Sequence, residues 1–256
     1  MNYRMPSLLQ SLPGVLLLAA CTLLQAAEMS PLPPADEVKQ RLANRMASSQ
    51  EEKQQFEEHY RYTRTRTRVE RNTKGKVKEN TEEIHEHQPD RAGESTKGRT
   101  PRYGEKDVEI DEQLLDRFKF EVHGRENLRE QEVLKVSFKP SSDDLPGHST
   151  VDRFINRTAG TLWLEESSMA LVKAQLHLVE PVEFLAGIAG VVYSLNMDFD
   201  RSRTQEGDWY PSRSRWTADY RTFLVRKVVD FEETRTDVEH MAGPRQQTAV
   251  QLPASR

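Results

Sequence analysis

The stretch "VVYSLNMDFD", residues 191–200, alternates apolar and polar residues from Tyr193 onward. Its apolar members are Val191, Tyr193, Leu195, Met197 and Phe199, and the residues between them are mainly serine, asparagine and aspartate. Successive side chains of a β-strand point to opposite faces of a sheet. The pattern therefore predicts a strand with one buried face and one solvated face.

The same period of two recurs on both sides of this strand, at 118–123, 134–138, 172–178 and 216–231. Eight or more strands of this kind favour one antiparallel sheet that is covered on one side. Helical spacing predicts one long helix at 35–58 and short helices near 107–117 and 151–157.

We therefore predict a mainly β, α+β fold in which a curved antiparallel sheet forms an open half-barrel. The long N-terminal helix and the short helices are expected to cover its concave face. A closed up-and-down barrel is the alternative.

The run "YRYTRTRTRVERN", residues 60–72, places an arginine at almost every second position of a chain whose net charge is −4. A turn at Gly75 and the acidic segment "VKENTEEIHEH" (77–87) follow it, which predicts a β-hairpin. The pairs expected to lie opposite each other are Arg68 with Glu79, Arg64 with Glu83, and Arg61 with Glu86. Such pairs contribute roughly 0.2–1 kcal/mol each. A nucleic-acid partner is disfavoured, because its phosphates would have to displace these glutamates.

The N-terminal segment "LPGVLLLAACTLLQAAE" (12–28) predicts a cleaved export signal and a periplasmic protein without a membrane span in its mature chain. Two cleavage sites remain open. "LAAC" (18–21) resembles a lipobox, which would remove residues 1–20 and leave a lipidated Cys21 as a membrane anchor. "LQAAE" favours ordinary cleavage of residues 1–26, which would discard the only cysteine.

The amino-acid composition of the remaining segments predicts the domain boundaries. Residues 27–34 form a proline-rich linker, 35–240 the folded domain, and 241–256 a tail without periodicity that we expect to be disordered. Residues 88–106 are rich in Pro, Gly, Ser and Thr and predict a loop.

Catalytic motifs are missing from the sequence. It contains no Gly-x-Ser-x-Gly and no glycine-rich phosphate loop. His85 and His87 share a strand face, but no third histidine or cysteine lies nearby at metal-ligand spacing. Asp198 and Asp200 share a face as paired acid–base carboxylates would, but they alternate with core residues on a plain strand. We interpret both pairs as solvated. We predict a protein without catalytic residues, metal or cofactor.

Two segments resemble a known family. "GTLWLEESSMALVKAQLHL" (160–178) resembles a strand–turn–strand of the LolA-like outer-membrane lipoprotein-sorting proteins, and "EGDWYPSRSRW" (206–216) resembles their next landmark. The matching positions are Gly160, Trp163, Glu165, Gly207, Trp209 and Pro211. The hairpin at 60–83 resembles a divergent secreted branch. The resemblance covers about residues 35–238.

This resemblance implies an open half-barrel with helices across its mouth. It also implies a non-enzymatic envelope protein that binds an acyl chain or lipoprotein lipid in the half-barrel. The alternative is an envelope sensor or interaction module that docks a membrane or periplasmic protein partner. The predicted cavity residues are Trp163, Tyr193, Met197, Trp209, Trp216 and Phe223.

Overall fold

The computed structural model describes residues 31–89, 112–142, 144–147, 149–185 and 187–241. The predicted signal peptide with Cys21, most of the predicted loop at 88–106, and the predicted tail beyond Met241 lie outside these residues. Contacts divide the chain into residues 1–32 and 33–256. The description below concerns the second unit.

Strands dominate the described residues. The helices are α1 (Ala35–Ala47), α2 (Ser49–His59), α3 (Glu112–Asp116) and α4 (Thr150–Ile155). The strands are β1 (Tyr60–Asn72), β2 (Val77–His87), β3 (Phe118–Leu128), β4 (Gln131–Pro140), β5 (Thr158–Leu164), β6 (Leu171–Leu178), β7 (Val182–Phe184), β8 (Gly190–Arg203), β9 (Trp209–Thr222) and β10 (Val225–His240).

All ten strands belong to one antiparallel sheet. Its order is β2-β1-β10-β9-β8-β6-β5-β4-β3, with the short β7 beside β8. Among the described residues β2 and β3 do not pair with each other, so the sheet stays open. The predicted open antiparallel sheet is confirmed, and the closed-barrel alternative is wrong.

Side-chain contacts show that one end of the sheet is curved. Neighbouring strands lie about 4.8 Å apart, so β4 and β8 would be about 14 Å apart in a flat sheet. Nevertheless Arg129, in the turn between β3 and β4, forms a 2.5 Å ion pair with Asp200 on β8. Trp209 of β9 likewise packs on a cluster that contains Val133 of β4 and Trp163 of β5.

The predicted helix at 35–58 is two helices, interrupted at Ser48. The Ser48 hydroxyl donates to the carbonyl oxygen of Arg45 at 2.9 Å and accepts from Arg45 Nη1 at 2.8 Å. A serine that bonds to nearby backbone competes with continued helical hydrogen bonding. Because of this break, the residues of the predicted apolar stripe pack in two different clusters. Val38 and Leu42 pack on the β3–β6 half of the sheet, whereas Phe56 packs against Tyr60 and Tyr62 of β1.

The short helices agree with the prediction in place but not in length. α3 lies within the predicted 107–117, the first part of which is outside the described residues. α4 covers 150–155 rather than 151–157 because Ser149 and Asp152 form a reciprocal capping box at its start.

The hairpin of β1 and β2 is confirmed, but its predicted register is wrong by two residues. Arg66 lies opposite Glu83, and Arg64 lies opposite His85. The turn is displaced because Asn72 Oδ1 accepts hydrogen bonds from the backbone N–H groups of Lys74 and Lys76. A two-residue displacement leaves every side chain on its original face.

The arginines of β1 also face acidic residues on its other neighbour, β10. Arg61 pairs with Glu239 and Arg66 with Glu233, each at 2.6 Å, and Arg71 pairs with Asp230. Arg68 keeps Glu79 of β2 as a diagonal partner at 3.3 Å. Four of the five arginines of β1 thus form ion pairs with neighbouring residues of the sheet.

Candidate hydrophobic-ligand site

Three rows of directly opposed residues cross the sheet on the face that carries α1 and α2, which we call the helix face. Directly opposed residues of an antiparallel pair point to the same face. The first row is Phe120, Phe138, Gly160, Leu176, Met197, Trp216, Phe231, Arg68 and Thr81. The second is Val122, Val136, Leu162, Ala174, Phe199, Ser214, Glu233, Arg66 and Glu83. The third is Leu195, Ala218, Val229, Glu70 and Glu79.

The two helices cover opposite parts of this face. Val38 and Leu42 of α1 are buried against Leu134, Val136 and Leu164. Phe56 of α2 stacks on aromatic rings of β1 and β9 at centroid distances of 5.0–5.4 Å; these rings are Tyr60, Tyr62 and Tyr210. The helix face is thus packed over β3–β6 and again where β1, β9 and β10 meet α2.

An apolar surface remains between these two packed regions. Its members, which we call the apolar strip, are Leu195, Met197, Phe199, Trp216 and Phe231. All five are half-buried, and none belongs to the clusters formed by α1 or α2. The ring of Trp216 stacks on Phe231 with centroids 5.2 Å apart and an interplanar angle of 18°. The strip spans three adjacent strands, β8, β9 and β10.

Charged residues border the strip on the β1 side. Glu70 is only 9% exposed and lies between Lys227 Nζ at 2.8 Å and Arg68 Nη2 at 3.1 Å. Hydrogen bonds from Lys227 and then Arg68 hold the pKa of Glu70 below its usual range, against the opposing effect of burial. The helix face therefore changes within one strand spacing from open apolar surface to a paired ionic network.

Two of the six predicted cavity residues meet on the apolar strip. Met197 lies directly opposite Trp216, and both are half-buried. Three further members, Leu195, Phe199 and Phe231, were predicted as strand residues but not as part of the site. The alternation in the sequence places Leu195 and Phe199 on the same strand face as Met197. The sequence does not indicate that β8, β9 and β10 are adjacent in the sheet, which the structure shows.

Trp163 and Trp209 lie in a different cluster, on the opposite face of the sheet. Trp163 is 8% exposed, and its indole N–H donates to Glu126 Oε2 at 2.8 Å. Its ring lies beneath Lys135 and Lys173, and the guanidinium group of Arg203 lies 4.7 Å from the ring centre of Trp209. Both tryptophans pack at the curved end of the sheet, away from the strip.

Tyr193 also lies on the opposite face, where a β-bulge between Val192 and Ser194 displaces it. The guanidinium group of Arg226 is 4.1 Å from its ring centre and pairs with Asp219 at 2.7 Å. Asp219 follows the buried Ala218 and so points away from the helix face.

Phe223 was predicted on a strand, and this placement is wrong. It lies in the two-residue turn between β9 and β10, with φ 53° and 65% of its surface exposed. The alternation was misleading because Phe223 has the same parity as Val225 and Val229, whereas β10 begins only at Val225, which pairs with Thr222 across the turn.

The residue pairs considered as metal or acid–base groups have ordinary partners. Asp198 accepts from Gln175 and Arg215, while Asp200 pairs with Arg129. Three of the four residues are half-buried rather than solvated: His87, whose ring stacks on Tyr62 at 4.6 Å, and the two aspartates. Within the described ranges, no three His, Cys, Asp or Glu side chains are grouped to hold a metal ion. No helix in the same ranges is long and apolar enough to cross a membrane.

No family model and no curated protein matches the chain. A solved domain from Vibrio parahaemolyticus, named for outer membrane lipoprotein sorting, aligns with 8% identity and a TM-score of 0.31, covering 78% of this chain and 94% of that one. A LolA superfamily protein from Nitrosomonas europaea aligns with 8% identity and a TM-score of 0.31, covering 83% and 96%. A chain of the Pseudomonas aeruginosa MucA/MucB complex aligns with 9% identity and a TM-score of 0.27, covering 81% and 100%.

Proposed function

We propose that this chain is a non-enzymatic protein of the cell envelope that binds a hydrophobic ligand of the acyl-chain class on its apolar strip. The observation that supports the proposal is the strip itself. Five large apolar side chains of three adjacent strands are only partly buried on the face that both helices cover only in part. A sheet face of this kind is stabilised when an apolar ligand removes it from water.

The size of the strip suits an alkyl chain. Each methylene that leaves water contributes about 0.8 kcal/mol, so eight buried methylenes contribute about 6 kcal/mol before the cost of association. This gain needs no polar contact at a defined position. It is consistent with a sequence in which no polar ligand motif was found.

A pair of neighbouring substitutions tests the site. Met197→Asp places a charge on the strip, whereas Asn196→Asp places the same side chain on the opposite face of β8. We expect Met197→Asp to weaken binding of a fluorescent fatty acid by about tenfold, because a desolvated carboxylate replaces apolar contact. Asn196→Asp should leave the affinity unchanged. Equal effects of both variants, or no probe binding by folded protein, would favour the interaction-module alternative.

The envelope location has its own test. Fractionation of cells and analysis of the mature N-terminus should yield a chain that begins near Ala27 or at a lipidated Cys21. If Cys21 carries lipid, Cys21→Ala should release the protein from the membrane fraction. Full-length protein in the cytoplasm would contradict export altogether.

A further inference from the structure

Five large apolar side chains are exposed at one end of the sheet, on the turns that join β7 to β8 and β9 to β10 and at the first residue of β10. We call them the apolar rim, and their exposed fractions are 75% for Leu185, 76% for Ile188, 65% for Phe223, 95% for Leu224 and 56% for Val225. The two turns are joined: the backbone N–H of Phe223 donates to the carbonyl of Ala189 at 3.1 Å, and Arg221 Nη2 donates to that of Gly187 at 2.8 Å. A contiguous apolar patch of this kind marks an interaction surface.

Neither turn geometry nor the core explains these residue types. Leu185 and Phe223 have φ values of 48° and 53°, a left-handed conformation that glycine, asparagine and aspartate adopt at lower cost. Their exposure means that they contribute little to the core. Large apolar residues therefore occupy two positions where a polar turn residue would stabilise the fold better.

Unpaired positive charge lies at the same end of the sheet. The lysines of the β1–β2 turn region are Lys74 and Lys76 in the turn and Lys78 at the start of β2, and all three are exposed. Asn72 at the base of the turn pairs with Lys227 of β10, two residues from Val225. Among the described residues none of these three ammonium groups has an ion-pair partner. In contrast, Asp219 on the adjacent β9 is already paired with Arg226 at 2.7 Å.

We propose that the apolar rim inserts into the interfacial region of a lipid bilayer that contains anionic lipid, with the lysines of the β1–β2 turn at its headgroups. Exposed apolar side chains on turns can insert among the acyl chains of a bilayer, and neighbouring lysines can bind its anionic headgroups. Apolar insertion and electrostatic attraction together provide the two signals that stable peripheral attachment requires. This surface is separate from the apolar strip, so the inference does not depend on fatty-acid binding.

The experiment uses the full chain with Cys21→Ala as background and one introduced cysteine that carries an environment-sensitive fluorophore. Leu224→Cys places the label on the rim, and Gln205→Cys places it on an exposed turn at the opposite end of the sheet. With vesicles of phosphatidylcholine and phosphatidylglycerol, we expect a blue shift at position 224 and none at 205. Because the readout is local, attachment through the apolar N-terminal segment would not produce this difference. Equal shifts at both positions, or no shift at 224, would overturn the proposal.

Two sets of variants separate the apolar and electrostatic parts. Phe223→Asn removes an exposed ring while suiting the left-handed turn, and Ile84→Asn removes an apolar group that is 68% exposed on edge strand β2. Only the first should weaken vesicle binding. Replacing the three lysines with glutamine should lower affinity for anionic vesicles by about a hundredfold, at about one kcal/mol per lysine. Binding unchanged by Phe223→Asn or by the lysine replacements would contradict insertion, and a rim-dependent dimer in solution would assign the rim to a second copy instead.

Discussion

Glu70 is a residue whose neighbours determine how the protein responds to acid. It is buried on the helix face and accepts hydrogen bonds from Lys227 and Arg68, which lower its pKa. Near pH 4 the native protein therefore binds fewer protons at this site than the unfolded chain does. The stability that Glu70 contributes is complete above its unfolded pKa of about 4.5 and is lost as pH falls through the lower, native value.

Glu70→Gln should accordingly lower the free energy of unfolding at neutral pH by about 2 kcal/mol, the scale of a hydrogen bond to a charged group. The difference between the variant and the parent should shrink as the pH falls below about 4.5. Urea denaturation over this pH range measures both quantities. A difference that stays constant with pH would show that Glu70 does not titrate in this network.

Arg64 is the arginine of β1 that opposes a like charge. It lies directly across from Arg235 on β10, and the buried Nε atoms of both side chains lack a hydrogen-bond partner in the described part of the chain. Arg64→Thr, which suits the strand, should raise the free energy of unfolding by about 0.5–1 kcal/mol. Arg66→Thr is the matched control and should lower it, because Arg66 pairs with Glu233 at 2.6 Å.

The pairing of the β1 arginines was predicted only in part from the sequence. The alternation of charges predicted that the arginines of β1 face glutamates across a hairpin, and such pairs are present. The register was wrong because the side chain of Asn72 shapes the turn. The partners on β10, such as Glu233, lie more than 160 residues away, and nothing local indicates that β10 is the second neighbour of β1.

At the scale of elements, the close approach of β4, β5 and β6 depends on Gly160. A Cβ atom at this position would lie 2.3 Å from the carbonyl oxygen of Gln175 and 2.8 Å from Leu176 Cδ2. Gly160→Ala must therefore separate β5 from β6, and we expect a loss of about 1–3 kcal/mol. Gly147→Ala, whose Cβ would make only ordinary contacts of 3.5 Å or more, should be nearly neutral. Chemical denaturation of both variants provides the comparison.

Element boundaries were predictable where the cause is local. The alternation at 191–200 predicts β8 correctly, because alternation over a run of this length fits a strand and not a helix. The break at Ser48 and the bulge at Tyr193 were missed because the apolar spacing continues through both. In the second case the bulge moves a predicted cavity residue to the other face of the sheet.

At the scale of the whole molecule, the packed core is unevenly distributed along the sheet. The fully buried Leu134, Val136 and Leu164 lie on β4 and β5 beneath α1, whereas β2 has ten exposed residues and one half-buried residue. Hydrogen exchange should therefore be slowest in β4 and β5 and fastest in β2. Mass-spectrometric exchange of the purified protein would resolve this order, and uniform protection would contradict it.

Among the described residues β2 pairs only with β1, and its other edge has a consequence for how copies of the protein behave in concentrated solution. An unpaired strand edge is a template on which a further strand can be added. β2 carries four glutamates and one lysine, a net charge of −3 with neutral histidines. If two copies paired through their β2 edges, two strands that each carry a net charge of −3 would lie side by side in one sheet. Repulsion between the two strands therefore disfavours dimers joined through their β2 edges.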